Sequence, residues 1–249
     1  AAELQRRKTL EKLEADGLLD RQQELEPALL PYRLAVISAR DAAGYGDFRR
    51  HLEENAYGFA FEVSLFEATM QGEEAPASIV DALERVECAP EPYDAVLLMR
   101  GGGSALDLAC FDDYGLCFAI ANCPVPVYTA IGHDRDVHVA DRVAHDAVKT
   151  PTALADRFID ALAAEDERIS AFGNRLRMAF AARLAGMEQR ILALGERIRA
   201  ADPRGVLARG YTLVTDAGGV VVKSARQLPA GTKFRLLFAD GTVEAVAVE

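Results

Sequence analysis

The sequence is poor in the residues on which several protein classes depend. It has no tryptophan and only four cysteines, at positions 88, 110, 117 and 123, none of them in a Cys-x-x-Cys pair. This spacing argues against a zinc cluster or a disulfide-stabilised fold, and we expect buried free thiols in a reducing compartment. No apolar run reaches the roughly 18 residues of a membrane span, and the N-terminus lacks the apolar stretch of a secretory signal. We therefore expect a cytoplasmic protein that makes no contact with a membrane.

A long basic tract is also missing. The formal net charge of the chain is −11, and residues 31–152 account for all of it because the charges of the remaining segments cancel. Proteins that bind duplex DNA tightly draw much of their affinity from lysine and arginine on phosphates. The charge pattern therefore disfavours a tight duplex-DNA binder, and any contact with a phosphate has to be local.

Between residues 31 and 152, short apolar runs alternate with helical patterns. These runs are continuously apolar rather than alternating, which is typical of parallel strands that are buried on both faces. The sequence therefore predicts an α/β fold, a Rossmann-like parallel sheet with helices on both faces. The predicted strands are residues 34–37, 59–65, 95–99 and 125–130, and the helices between them include residues 47–56 and 106–121.

The remaining segments have different patterns. From Pro151, with Thr150 as its cap, apolar residues recur at steps of three and four, which predicts a long helix. This helix either packs on its own domain or forms a coiled-coil arm for a partner, and the pattern leaves both open. Short β-type runs after the helix, at residues 211–214, 219–222, 234–238 and 242–246, predict a small C-terminal β segment. The expected division is 1–30 (N-terminal helix and linker), 31–152 (catalytic α/β domain), 153–202 (helical arm) and 203–249 (small β domain).

A glycine-rich loop follows the third predicted strand. Arg100 precedes Gly101, Gly102, Gly103 and Ser104, and a helix begins soon after. Successive glycines let the backbone approach an anion, and the amides at a helix start point towards it. Arg100 would add a charge suited to two-point phosphate binding. A tight strand-to-helix turn is the structural alternative, but we favour phosphate binding by this loop.

A histidine and several carboxylates follow the ends of other strands. His133 and Asp136 come directly after the fourth strand, and imidazole is suited to proton transfer near neutral pH. A surface histidine is an equally weighted interpretation. Asp47 stands at the predicted start of a helix, where aspartate is also a favoured N-cap. Ligands of such folds bind beyond the carboxyl ends of the strands, so these residues could converge there.

Arginine, glycine amides, histidine and carboxylates in one crevice suit phosphate-ester hydrolysis. No Gly-x-Ser-x-Gly elbow is present, which argues against acyl transfer. Two alternatives stay open on this evidence. The first is a small-molecule phosphohydrolase or a nucleotide-binding α/β domain, and the second is a non-enzymatic scaffold whose arm recruits partners.

Several motifs together resemble those of the exodeoxyribonuclease VII large subunit family. The resemblance runs from about residue 3 to the C-terminus. It is carried by Leu13–Asp20, Met70–Pro76, Arg100–Leu108 with Phe111–Asp113, Val125–Asp136 with Ala140–Ala144, Thr150–Ala153, and Leu207–Tyr211.

The resemblance implies hydrolysis of single-stranded DNA to short 5′-phosphorylated oligonucleotides, with Asp47, Arg100, His133 and Asp136 as the essential residues. It implies no strict requirement for a divalent metal, with Mg²⁺ as a stimulator, and leaves open whether any carboxylate binds a metal. It also implies multiple copies of a small subunit docked on the helical arm, with a homodimer through the arm as a further expectation. The chain departs from the family in a short arm, in Ala147 where an arginine is common, and in lacking the N-terminal oligonucleotide-binding barrel. We therefore expect it to bind DNA weakly alone.

Overall fold

The structure, a computed structural model, describes residues 2–100, 105–132 and 138–248. It divides into two compact units, Ala1–Ala171 and Phe172–Glu249. Within the described ranges, no helix combines the length and apolar character that a membrane span needs.

The first unit contains a five-stranded parallel sheet, which confirms the predicted fold class. Its strand order is β2-β1-β3-β4-β5. The first strand along the chain, β1, therefore lies inside the sheet, and later strands are added on both sides of it. β5 has only two residues and is not predicted by the sequence. The strands are β1 (Arg33–Ser38), β2 (Glu62–Glu67), β3 (Ala95–Met99), β4 (Val127–Ala130) and β5 (Asp146–Ala147).

Both faces of the inner strands β1, β3 and β4 are buried, and this explains why these strands lack polar alternation. Successive residues of a strand point to opposite faces. Ile37 and Leu98 accordingly belong to one buried cluster, while Val36 and Leu97 belong to a second cluster on the other face. A strand that must supply apolar side chains to two cores is apolar at every position.

Helices cover the two faces, and the boundaries of several differ from the prediction. The single helix predicted over residues 106–121 is a 3-10 helix, Ala105–Asp112, followed by a separate α-helix. Asp113 divides them because its side chain accepts a hydrogen bond from the Leu116 amide at 3.0 Å and so caps the second helix. The α-helices of this unit are α1 (Ala2–Ala15), α2 (Ala43–Glu53), α3 (Ala75–Glu87), α4 (Tyr114–Asn122), α5 (Val139–Val143) and the start of α6 (Pro151–Ala201).

α2 begins four residues before the predicted start, and this has a packing reason. Gly44 and Gly46 have low helix propensity, so the sequence alone favours a loop there. Phe48 and Leu52 are buried, however, and Tyr45 packs against the same cluster. Apolar contacts at helical spacing therefore outweigh the cost of the two glycines.

The segment between α1 and β1 packs closely against the first unit. Gln22 is fully buried, and its side chain bonds the backbone at both ends of the connection between α4 and β4. Of the cysteines, Cys117 and Cys123 are buried, Cys110 is partly buried and Cys88 is exposed, and none of the four forms a disulfide. The expectation of cysteines outside disulfides is thus confirmed, whereas the expectation that all are buried is wrong for Cys88.

α6 starts as the sequence predicts. The Thr150 hydroxyl accepts a hydrogen bond from the Ala153 amide at 3.1 Å, which is the expected N-cap. Within the first unit, Leu154 and Phe158 of this helix are buried in the sheet's second cluster. Packing against the sheet therefore positions the first turns of α6.

The second unit contains the rest of α6, a short helix α7 (Pro203–Leu207) and a three-stranded antiparallel sheet. The predicted strand over residues 219–222 is wrong, because this run forms only one isolated bridge, between Thr215 and Val221. Asp216 instead accepts hydrogen bonds from the Gly218 and Val220 amides, which commits this stretch to a turn. The strands are β6 (Leu213–Asp216), β7 (Lys233–Leu237) and β8 (Thr242–Val246).

Candidate active site

The carboxyl ends of three adjacent strands open onto one cavity. β2, β1 and β3 are neighbours in the sheet and end at Glu67, Ser38 and Met99. The cavity just beyond them has a volume of about 700 Å³. Loops that follow parallel strands meet at this edge, where ligands of such folds bind. Its lining comprises residues 39–43, 67–71, Ser78 and Arg100.

Arg100 is the predicted site residue that lines this cavity. Its amide donates to the Ala130 carbonyl at 3.1 Å, which extends the ladder between β3 and β4 by one residue. On the other side, the Ser38 hydroxyl donates to the Met99 carbonyl at 2.9 Å. The backbone that carries Arg100 is therefore fixed from both neighbouring strands, and the residue is 7% exposed.

The positive charge of Arg100 also acts on the thiol of Cys110. Burial raises the pKa of the Cys110 thiol, and the positive charge of Arg100 opposes that rise. The guanidinium thus lies close enough to act on its surroundings from the interior, where charges are poorly screened. Such a group is well suited to bind an oxyanion in the adjoining cavity.

Two charged residues of the cavity were not singled out by the sequence. Arg40, from the loop after β1, pairs with Glu67 at the end of β2, and its Nε lies 2.6 Å from Oε1. Both side chains are largely exposed, so solvent screens the pair and it adds little to stability. The local sequence pattern does not predict this contact, because it joins the loop after β1 to the end of β2, and these become neighbours only in the folded protein.

Asp47 lies on α2, in the second turn of the helix. Its interpretation as an N-cap is wrong, since Ala42 occupies that position. The carboxylate is exposed and lies 3.5 Å from Nη1 of Arg50, one turn further along the helix. It is not among the residues that line the cavity of Arg100. Its catalytic role therefore stays a prediction.

His133 and Asp136 lie outside the described residues, as do Gly101, Gly102, Gly103 and Ser104. The convergence of the four essential residues thus also stays a prediction. The described residues on either side of 133–137 do have a defined setting. Gly132 follows β4, and His138 directly precedes α5.

A buried polar network surrounds His138. We interpret this histidine from its sequence as an ordinary surface or packing residue, but it is 6% exposed and its Nδ1 lies 3.3 Å from Asp112 Oδ2. Asp141, expected to be a cap or supporting residue, accepts from the His138 amide at 3.1 Å and from the Thr129 hydroxyl at 2.6 Å. Burial raises the pKa of Asp141 despite these bonds. The sequence pattern does not predict this network, because Asp112 lies in a 3-10 helix that is 26 residues before His138 in the chain.

The fold and this edge of the sheet define an α/β protein with a crevice beyond its parallel strands, lined by a buried arginine. The family model for the exonuclease VII large subunit matches residues 18–198 and 160–246. The chain therefore belongs to the exonuclease VII large subunit family, which confirms the resemblance seen in its motifs.

Individual relatives agree with this assignment. The exodeoxyribonuclease 7 large subunits of Nostoc sp. and Cyanothece sp. are each 31% identical, over 96% and 97% of this chain. The corresponding protein of Deinococcus radiodurans is 34% identical over 85% of the chain. The chain spans 68%, 67% and 56% of the length of these three relatives.

Proposed function

We propose that this chain is the catalytic large subunit of a nuclease that hydrolyses single-stranded DNA to short 5′-phosphorylated oligonucleotides. The observation that carries the proposal is Arg100, buried at the wall of the cavity beyond β1, β2 and β3 in a chain of this family. A fixed guanidinium at a sheet edge can stabilise the charge that develops on phosphate oxygens during hydrolysis.

The chemistry requires one water and no other reactant. The water oxygen attacks phosphorus and the bond from phosphorus to the 3′ oxygen breaks, which leaves the phosphate on the 5′ end of the downstream product. The leaving 3′ oxygen takes up a proton, and the water loses one. His133 is our candidate for this proton transfer, with Asp47 and Asp136 as its carboxylate partners in the site. The amides of residues 101–104 would bind the same phosphate as Arg100.

We further propose that the reaction has no strict requirement for a divalent metal and that Mg²⁺ stimulates it. An arginine, a histidine and backbone amides can together supply the charge stabilisation and proton transfer that a metal would otherwise provide. Addition of a chelator to the complex would test this directly. Cleavage should persist at a reduced rate, and complete loss would contradict the proposal.

The partner proposal rests on the second unit. Eight apolar residues of α6 recur there at steps of three and four, and all are exposed. We propose that copies of a small subunit cover this stripe, with a second copy of this chain as the alternative occupant. The free thiols support a reducing, cytoplasmic setting. The stripe comprises Phe172, Leu176, Phe180, Leu184, Met187, Ile191, Leu194 and Ile198.

The function is tested by digestion of end-labelled single strands with the full chain and its small subunit. Arg100→Ala and His133→Ala should each slow cleavage by about 100-fold or more, because each removes a group that acts on the transition state. Arg226→Ala, at an exposed position in the second unit, is the matched control and should cleave at the normal rate. Normal cleavage by both site variants would refute the site, and hydrolysis of mononucleotides without DNA cleavage would favour a small-molecule phosphohydrolase.

A further inference from the structure

We propose that Asp112 is a positioning residue of this site: with Asp141 it forms a carboxylate clamp that fixes where the chain leaves residues 133–137. The inference rests on the proposed function, because those residues include His133 and Asp136. The clamp itself consists of described residues only, namely Asp112, Thr129, His138, Val139 and Asp141.

The first arm of the clamp is Asp112, the last residue of the 3-10 helix. Its Oδ1 accepts a hydrogen bond from the Val139 amide at 2.8 Å, and its Oδ2 lies 3.3 Å from His138 Nδ1. Because a carboxylate can only accept, Nδ1 is the donor of the second bond. One buried side chain thus holds two consecutive residues, the first two after residue 137.

The second arm is Asp141 of α5. Its Oδ2 accepts from the His138 amide, while its Oδ1 accepts from the hydroxyl of Thr129. Thr129 belongs to β4, the strand that leads towards residue 133. Asp141 therefore ties the strand on the entry side to the residue on the exit side.

Asp112 does more than helix capping requires. Asp141 already satisfies the His138 amide at the start of α5, whereas Asp112 reaches this point from 26 residues away in the sequence. Among the described residues, His138 Nε2 is buried without a hydrogen-bond partner. The side-chain contact that holds the imidazole ring is therefore the one between Nδ1 and Asp112. Burial raises the pKa of Asp141, and the nearby charge of Asp112 adds to this rise. This costly arrangement gives a defined position to the exit residue.

Asp112→Ala tests the proposal, and the neighbouring Asp113→Ala is its matched control. Asp113 is also an aspartate that bonds a backbone amide, but its carboxylate caps α4 through the Leu116 amide, whereas that of Asp112 holds Val139. The full chain with its small subunit is assayed for kcat and KM on single-stranded DNA. The full chain is also assayed for amide hydrogen exchange over residues 129–143.

Asp112→Ala should speed exchange at Val139 by about tenfold or more, because the amide loses its acceptor. It should also lower kcat by about 100-fold with little change in KM, the effect of a misplaced catalytic group. Asp112→Asn keeps an acceptor for Val139 and should restore part of both. Asp113→Ala should leave both quantities within about twofold of the wild type.

Unchanged exchange in Asp112→Ala would overturn the clamp, and faster exchange with a normal kcat would overturn its positioning role. If Asp112→Ala does not fold, Asp112→Asn and Thr129→Val, which removes only the hydroxyl bonded to Asp141, decide the question by the same two measurements. If the wild-type complex does not cleave DNA, the proposed function fails. The exchange data would still show whether Asp112 holds the exit residue.

Discussion

Gln22 provides a sharp test of how the first unit is held together. Its side chain is fully buried although it lies outside any helix or strand. Nε2 donates to the Cys123 carbonyl at 2.7 Å, and Oε1 accepts from the Val127 amide at 2.8 Å. One amide side chain thus pairs a backbone group at the end of α4 and another at the start of β4, the strand that leads towards residue 133.

The size of the effect follows from these two bonds. Gln22→Ala leaves a buried carbonyl and a buried amide without this partner, at about 1–3 kcal/mol each. We therefore expect the free energy of unfolding to fall by about 2–6 kcal/mol, a large part of the 5–15 kcal/mol typical of a protein. Gln23→Ala is the matched control, since Gln23 is exposed, and it should change the free energy by less than about 0.5 kcal/mol.

The measurement is urea unfolding followed by far-ultraviolet circular dichroism, since the chain has no tryptophan to report by fluorescence. Gln22→Glu adds a pH test. An ionised carboxylate cannot donate to the Cys123 carbonyl, so burial should hold the pKa of the introduced group above its unfolded value of about 4.3. The variant's stability should then fall relative to wild type as the pH rises from 5 to 8. Equal unfolding free energies for Gln22→Ala and Gln23→Ala would refute the reasoning.

Three further predictions concern ionisation and the partner surface. Burial raises the pKa of Asp141, so the folded protein binds the carboxyl proton more tightly than the unfolded chain does. The contribution of this group to stability therefore declines as the pH rises above about 4. Asp141→Asn should remove this decline from the urea midpoints measured between about pH 4 and 7. Burial raises the pKa of Cys123 to about 11, so iodoacetamide at pH 8 should label exposed Cys88 first in a mass-spectrometric time course, and the reverse order would contradict the fold. Leu184→Asp, in the apolar stripe of α6, should weaken small-subunit binding by about tenfold or more in a titration, whereas Arg183→Asp should bind normally; equal binding by both would remove the stripe as the docking surface.

The inner strands of the sheet in the first unit could be predicted, because their apolar composition indicates that both of their faces are buried. Ala95–Met99 is apolar throughout, a pattern that only a doubly covered strand needs, and the structure begins and ends β3 at the predicted residues. The start of α2 could not be predicted in the same way. There the glycines favour a loop locally, and only the tertiary contacts of Phe48 and Leu52 reverse that preference.

The same difference between local sequence pattern and tertiary contact determines which residues of the candidate site could be predicted. Arg100 could be identified from sequence because its position directly after a buried strand places it at the carboxyl edge of the sheet. Arg40 with Glu67, and Asp112 with His138, could not be identified, because each pair joins residues 26 or 27 positions apart whose proximity depends on strand order. A single sequence reports periodicity and local spacing, but it does not report which loops become neighbours.

The acidity of residues 31–152 has a physical explanation in these contacts. Several carboxylates are committed to bonds within the protein, such as Asp112 and Asp141 with backbone amides and Glu67 with Arg40. Carboxylates used in this way stabilise the local structure, but they add negative charge to the unit that carries the proposed site. Affinity for DNA must then come from a few fixed groups such as Arg100 and from other parts of the assembly, because the net field of this unit repels phosphate. The proposed site is therefore better suited to stabilise charge on one phosphodiester than to hold a long strand.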